Sequence, residues 1–150
     1  MGIEELAAAL RATDFFVGYS PIGDEPVYGD FLKDQDIRKT GVSVIADLDT
    51  PPDECARALV KRYGNKKACI FVPGRVFDRS GTRHGRGGGW YDRFLSSLPE
   101  GWIRIGVLNE TQLSSESLSR QAWDEPMNML LIRKGKSWTT VRVETPPERR

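Results

Sequence analysis

One histidine and two cysteines in 150 residues leave little room for several common chemistries. His84 is the sole histidine, and no Ser-His-Asp or Cys-His arrangement can be read around it. Cys55 and Cys69 lack zinc-type spacing and fall in an expected helix and an expected strand. They read as buried thiols in a reducing compartment. No apolar run approaches a membrane span, and the N-terminus shows no basic segment followed by an apolar core, so a cytoplasmic protein is expected. An excess of charge is also missing: 22 basic residues face 21 acidic ones, a net charge of +1. That balance gives no global pull towards nucleic acid or a membrane surface, so any basic site must be local.

What is present is a regular alternation of strand-like and helix-like segments. Ile3–Ala12 carries Glu4 and Glu5 in its first turn and reads as a helix. Phe15–Tyr19 reads as a short buried strand, followed by a loop at Pro21–Pro26. A helix is expected over Tyr28–Lys39, ended by Gly41, and a strand over Val42–Ala46. Asp53–Tyr63 has Ala56, Leu59, Val60 and Tyr63 at helical spacing, with Gly64 as its stop. Ala68–Val72 is a strand expected to run straight into a glycine loop, with a helix over Trp90–Leu98 beyond it. Strands are expected at Ile103–Leu108, Met127–Ile132 and Trp138–Val143, with a polar loop at Ser114–Gln121. The pattern implies an α/β fold: three αβα layers with right-handed crossovers and a mainly parallel central sheet. One domain over residues 1–143 is expected, with a frayed tail over 144–150. The loops after Tyr19, after Val72 and after Leu108 should share one sheet edge, where such sheets bind ligands.

The segment Val72–Phe94 carries the strongest chemical signal. Four of the five positions Gly85–Gly89 are glycine, and Trp90 then opens a helix. A glycine loop feeding a helix start presents backbone N–H groups and a positive dipole end, and Arg83, Arg86 and Arg93 add fork-shaped donors. The natural guest is a phosphate chain. Asp92 repels such a guest unless Mg²⁺ bridges the two. The plainer alternative is a flexible surface loop, which would cost backbone entropy without benefit. Trp90 and Tyr91 are expected to divide their roles, one in the core and one against a flat ring.

These residues resemble the signature of the 5-formyltetrahydrofolate cyclo-ligases. Pro73, Gly74, Phe77, Asp78, Gly81, Arg83, Gly85, Gly87, Gly89, Tyr91 and Asp92 all fit the family pattern. The resemblance implies a sheet architecture similar to the NagB, RpiA and CoA-transferase proteins. It implies ATP and Mg²⁺ as cofactors and a reduced folate as substrate. On that basis Arg83, Gly85, Arg86, Gly87, Gly88, Gly89, Trp90 and Tyr91 would hold the nucleotide. Asp92 and Asp124 would approach the metal, Asp124 having a turn or capping role as its alternative. Glu25 would hold the pterin through paired hydrogen bonds, with Ser20 beside it, and a solvated loop acid is the alternative for Glu25. Gln112 matches a family glutamine and is expected to be positional.

The implied reaction converts 5-formyltetrahydrofolate to 5,10-methenyltetrahydrofolate. No side-chain nucleophile is needed, because aligned partners and neutralised charge suffice. The sequence departs from the family where its members open with a basic helix: here Met1–Ala12 holds only Arg11. It departs again between the second strand and Pro73, where members have a longer segment shaping the folate site. His84 stands where the family usually has an apolar residue, and Asn128 where it commonly has an acid. The alternative function is a non-catalytic nucleotide or phosphate binder. A second copy of the chain could supply the missing basic groups, so a homo-oligomer is the one macromolecular partner considered.

Overall fold

The computed structural model describes residues 2–38, 42–45, 48–85 and 89–143, with 42–44 as backbone only. In chain order the elements are α1 (Ile3–Ala12), β1 (Phe15–Tyr19), α2 (Tyr28–Asp34), β2 (Val42–Ile45) and α3 (Pro52–Tyr63). Then come β3 (Ala68–Val72), β4 (Val76–Phe77), β5 (Arg83–His84), α4 (Trp90–Ser96), β6 (Ile103–Asn109), β7 (Met129–Lys134) and β8 (Ser137–Arg142). Six strands form one sheet in the order β2-β1-β3-β6-β7-β8. All its pairings are parallel except the β7–β8 hairpin, which turns at Gly135.

The alternation along the strands decides which helix covers which face. In β3, Ala68, Ile70 and Val72 point to a cluster containing Ala56, Trp90, Phe94 and Leu95, which places α3 and α4 on that face. Cys69 and Phe71 point the other way, towards Leu6, Leu10 and Phe31 of α1 and α2. All five residues of β1 and all five of β3 are buried, as expected for central strands covered on both sides. The three-layer αβα reading of the sequence is therefore the observed architecture.

The helices begin and end for readable reasons. α1 and α3 both carry acids in the first turn and bases in the last, the arrangement that the helix dipole favours. α3 starts at Pro52, whose missing N–H costs nothing there. α1 stops at Thr13, whose Oγ1 donates to the Leu10 carbonyl at 2.8 Å. α2 is shorter than the sequence suggests: it ends at Asp34, and Asp36 takes a left-handed backbone with φ 51°. The Ile37 N–H turns back to the Leu32 carbonyl (2.8 Å), so the side chain of Ile37 drops into the core instead of extending the helix. The remainder of the expected helix and its Gly41 stop lie outside the described residues, as does the tail 144–150.

One element was not expected. β3 does not run straight into the glycine loop, because a small hairpin, β4–β5, intervenes. Asp78 builds its turn. The carboxylate of Asp78 accepts from the Ser80 N–H (3.0 Å), the Ser80 hydroxyl (2.7 Å) and the Thr82 N–H (3.0 Å). The Leu118 N–H at 2.7 Å ties the same carboxylate to the loop before β7. Burial pushes the Asp78 pKa up, but these hydrogen bonds outweigh it and leave the carboxyl below its ordinary value. Phe77, fully buried, anchors the hairpin over Gly106 of β6.

Candidate functional site

The sheet reverses its winding direction at β1. From β1 the chain passes through α2 to β2 on one side, then returns through α3 to β3 on the other. Sheets of this kind hold ligands beyond the strand ends at such a reversal. A cavity of about 360 Å³ lies there, within the size range of small-molecule sites. The end of β1 and its loop supply Tyr19, Ser20, Ile22 and Glu25. The end of β3 and the hairpin supply Pro73, Gly74, Arg83, His84 and Gly85. Gly89, Trp90, Tyr91 and Asp92 line it from the start of α4, Ile45 and Leu48 from β2 and its sequel, and Trp123 and Asp124 from the loop before β7.

Among the described residues, Arg83 is the cation of this site. Its Nε donates to the Pro73 carbonyl, and its guanidinium carbon lies 4.9 Å from the centre of the Tyr91 ring. The passage for this side chain is narrow. A methyl group at Gly74 would come within 3.0 Å of the Arg83 Nε, and one at Gly85 within 2.8 Å of an Arg83 terminal nitrogen. Burial lowers the Arg83 pKa, while Asp92, Tyr91, Glu25 and Asp124 all act to raise it. An arginine stays charged in such surroundings, so the cavity keeps a fixed cation facing several carboxylates.

Asp92 responds in the opposite sense. Burial raises its pKa first, and the nearby Asp124 and Glu125 add to the rise, against the Glu125 N–H and Arg83. That N–H donates to the Asp92 Oδ1 at 3.1 Å, joining α4 to the loop before β7. Asp124 accepts the Gln121 N–H at 2.8 Å, so it also fulfils the turn role considered for it. Two carboxylates with mutual repulsion at one cavity form a donor set that a divalent cation would relieve. Among the described residues no group of three or more His, Cys, Asp or Glu gathers for a metal. Mg²⁺ does not require one, since it usually takes one or two carboxylates together with phosphate oxygens and waters.

Glu25 sits in the loop after β1, where its Oε1 accepts the Ile22 N–H at 2.9 Å. Burial, then the charge of Glu25, push the Tyr19 phenol far above its ordinary pKa, and burial does the same to Tyr91. Both phenols therefore remain protonated donors. The Tyr19 hydroxyl donates a hydrogen bond to the Pro26 carbonyl at 2.7 Å, which closes the Glu25 loop. Gln112 is positional, as expected. Its Nε2 donates to the carbonyls of Gly74 (2.8 Å) and Arg75 (3.2 Å), and its Oε1 accepts the Asn109 N–H (2.9 Å). Asn109 in turn donates to the Asp24 carbonyl at 2.9 Å, so this one segment holds the loops after β1 and β3 together.

Ser20, Glu25, Arg83, Gly85, Gly89, Trp90, Tyr91, Asp92 and Asp124 thus line one cavity. Arg86, Gly87 and Gly88, also expected at the site, lie outside the described residues. The division of labour between Trp90 and Tyr91 does not hold, because each is both core and wall. Trp90 stacks on Phe94 (5.1 Å) and donates to the Thr50 carbonyl (2.9 Å), while Tyr91 lies under Arg83. Sequence reasoning missed Ile22, Leu48 and Trp123. Trp123 adjoins Asp124 and could have been found from that neighbour, whereas Leu48 gives no signal of its own. His84 lines the cavity and bonds the Ser119 carbonyl through Nε2 (2.8 Å). Arg11 points elsewhere, donating to the Gln35 carbonyl at 2.9 Å.

The profile of the 5-formyltetrahydrofolate cyclo-ligase family matches residues 27–133, well over half of the chain and all but the earliest wall residues of the cavity. The chain belongs to this family. Among curated proteins, the 5-formyltetrahydrofolate cyclo-ligase of Haemophilus influenzae is 35% identical over 69 residues, which are 45% of this chain and 36% of that protein. The cyclo-ligase of Mycoplasma genitalium is 29% identical over 63 residues, 42% of this chain and 37% of the relative. The matches thus span little more than a third of these relatives. Among solved structures, a 5,10-methenyltetrahydrofolate synthetase from Mycoplasma pneumoniae superposes with a TM-score of 0.55 at 21% identity, over 87% of this chain and 80% of that one. The Aquifex aeolicus 5,10-methenyltetrahydrofolate synthetase gives 0.57 at 20% identity, over 97% and 83%. At such identities the two structures speak for the fold. Among the described residues no helix is long and apolar enough to cross a membrane.

Proposed function

We propose that this chain closes 5-formyltetrahydrofolate to 5,10-methenyltetrahydrofolate at the expense of ATP, releasing ADP and phosphate. One observation carries the reading: Glu25 and Asp124 from two loops, Arg83 from β5 and Asp92 from α4 line a single cavity at the sheet's reversal point. Membership of the cyclo-ligase family supports it.

The formyl oxygen of the substrate is an amide oxygen and cannot leave unaided. It takes the terminal phosphoryl group of ATP, and ADP departs. The neighbouring ring-linked amine attacks the activated formyl carbon and gives up its proton, and phosphate leaves with the former formyl oxygen. The protein's task is to align the partners and balance charge. Arg83, held rigid by Pro73 and Tyr91, supplies fixed positive charge beside the transferring group. Gly85 and Gly89 leave the wall open to phosphate oxygens. Asp92 and Asp124 are the carboxylates that would hold Mg²⁺, whose charge offsets that of the phosphates. Glu25 presents an acceptor to the pterin N–H groups, exchanging its contact with the Ile22 N–H for the substrate's.

The test is an absorbance assay for the methenyl product, with purified protein, 5-formyltetrahydrofolate, Mg²⁺ and ATP, and an ATP-free control. ATP-dependent product is expected. Stabilisation by MgATP without any product would refute the reaction and leave a nucleotide binder.

A further inference from the structure

Among the described residues, four large apolar side chains are strongly exposed: Ile22 (65%), Val27 (45%), Leu48 (51%) and Trp123 (68%). Apolar side chains scattered singly over a surface need no explanation. Three of these four are not scattered. Ile22, Leu48 and Trp123 come from three separate loops, after β1, after β2 and before β7, and all three line the one cavity described above. The chain thus keeps an indole and two aliphatic groups in water around the mouth of a site whose wall carries Arg83 and the carboxylates.

The rim residues are coupled to the polar ones. Ile22 gives its N–H to the Glu25 carboxylate at 2.9 Å, and Trp123 precedes Asp124 in the chain. A ligand whose polar head reaches Glu25 meets Ile22, Leu48 and Trp123 around that head, so it must carry an apolar, flat portion directly beside it. A triphosphate does not fit this description, since a polar ribose separates its base from its charge. Reduced folate does fit: an uncharged benzoyl ring is joined to the pterin head and precedes the charged glutamate. We propose that Trp123, flanked by Ile22 and Leu48, grips the benzoyl ring of the folate and is a specificity-determining residue of the site. This rests on the folate reading proposed above.

Equilibrium binding of the full chain tests it, with three probes: 5-formyltetrahydrofolate, the corresponding formylated pterin lacking the benzoylglutamate tail, and MgATP. Stacking of this kind predicts that Trp123→Ala weakens folate about tenfold, equivalent to about 1.4 kcal/mol. The tail-less pterin and MgATP should change less than about twofold, near the noise of such a measurement. Trp123→Phe should recover most of the folate affinity, because a ring remains to stack. The indole is largely exposed, so both variants should melt with wild type. Unchanged folate affinity in Trp123→Ala, or equal losses for folate and tail-less pterin, would overturn the role of Trp123 while leaving the folate reading intact. A wild-type chain that binds neither pterin-containing probe would overturn both.

Discussion

Replacing Gly106 by alanine tests the link between the sheet and the site. Gly106 lies in β6, paired with Val72 on one side and Leu130 on the other. A methyl group there would stand 2.7 Å from the Phe77 Cε2, 3.0 Å from the Leu130 Cδ2 and 3.1 Å from the Met127 Cγ. All three neighbours are buried, so none can swing into solvent to make room. Overpacking of this kind costs about 1–3 kcal/mol. For a chain of this length that corresponds to a fall in Tm of roughly 2–12 °C. Urea denaturation of Gly106→Ala, Phe77→Leu and the double variant separates this collision from general loss of packing. Phe77→Leu is destabilising by itself because it opens space. In the double variant the new methyl group uses that space, so the two costs should fall short of their sum by about 1 kcal/mol or more. Phe77 pairs with Arg83 across the β4–β5 hairpin. Gly106→Ala should therefore reduce turnover more than Phe16→Leu, a core change on the opposite face of the sheet. A Gly106→Ala chain with wild-type stability, or a strictly additive cycle, would refute the placement of Phe77 over β6.

Glu25→Gln should raise KM for folate more than KM for ATP if Glu25 takes the pterin donors as proposed; steady-state kinetics with each substrate varied in turn checks this, and equal rises would contradict it. Asp92→Asn should abolish MgATP-dependent turnover while leaving the chain folded. Burial holds the native Asp92 pKa above that of the unfolded chain, so its contribution to stability is complete below the unfolded value and is lost as pH rises through the native one. Asp92→Asn should therefore melt higher than wild type at neutral pH, and a lower Tm there would show that the raised pKa is misassigned. Asp78 behaves oppositely. Its native pKa is lowered, so its contribution is complete above the ordinary carboxylate range and disappears as pH falls through the lowered value. Asp78→Asn should cost about 1.5–3 kcal/mol at neutral pH, the usual worth of a charge-assisted hydrogen bond lost, and thermal melts across the acid range should show the difference shrinking as pH falls.

The layered fold was legible because its signals are local. Phe15–Tyr19 and Ala68–Val72 are short continuous apolar runs, and both are buried central strands with the bounds the sequence suggested. α3 could be read from the spacing of Ala56, Leu59, Val60 and Tyr63. The β4–β5 hairpin was not legible, because two-residue strands have no periodicity to detect. Its cause is a carboxylate, Asp78, collecting N–H groups from its own turn and from Leu118, 40 residues away. The apolar rim was hidden for the same reason: Ile22, Leu48 and Trp123 belong to loops whose meeting is decided by strand order. Arg83 and Asp92 were easier, since a carboxylate beside a glycine-arginine loop already demands an explanation within the sequence, whereas Glu25 and Asp124 were reached through the resemblance to the family.

The geometry also changes what the glycines of the Val72–Phe94 stretch are for. A phosphate cradle would explain a run of glycines, but not why Gly74 stands eleven positions before Gly85. The structure supplies a reason: both flank the same guanidinium, and a methyl group on either would crowd Arg83. Gly81 serves the turn instead, with φ 87° and the Met127 backbone packed against it. Gly89 takes φ 63° at the start of α4 and has open space around it, so its role is to let the chain turn into the helix that carries Tyr91 and Asp92. Three different demands thus place four glycines. Two of them make room for one buried cation, the third closes the hairpin that presents it, and the fourth aims the helix whose tyrosine supports it and whose aspartate faces it. The spacing of these four glycines follows from positioning Arg83 against Tyr91 and Asp92.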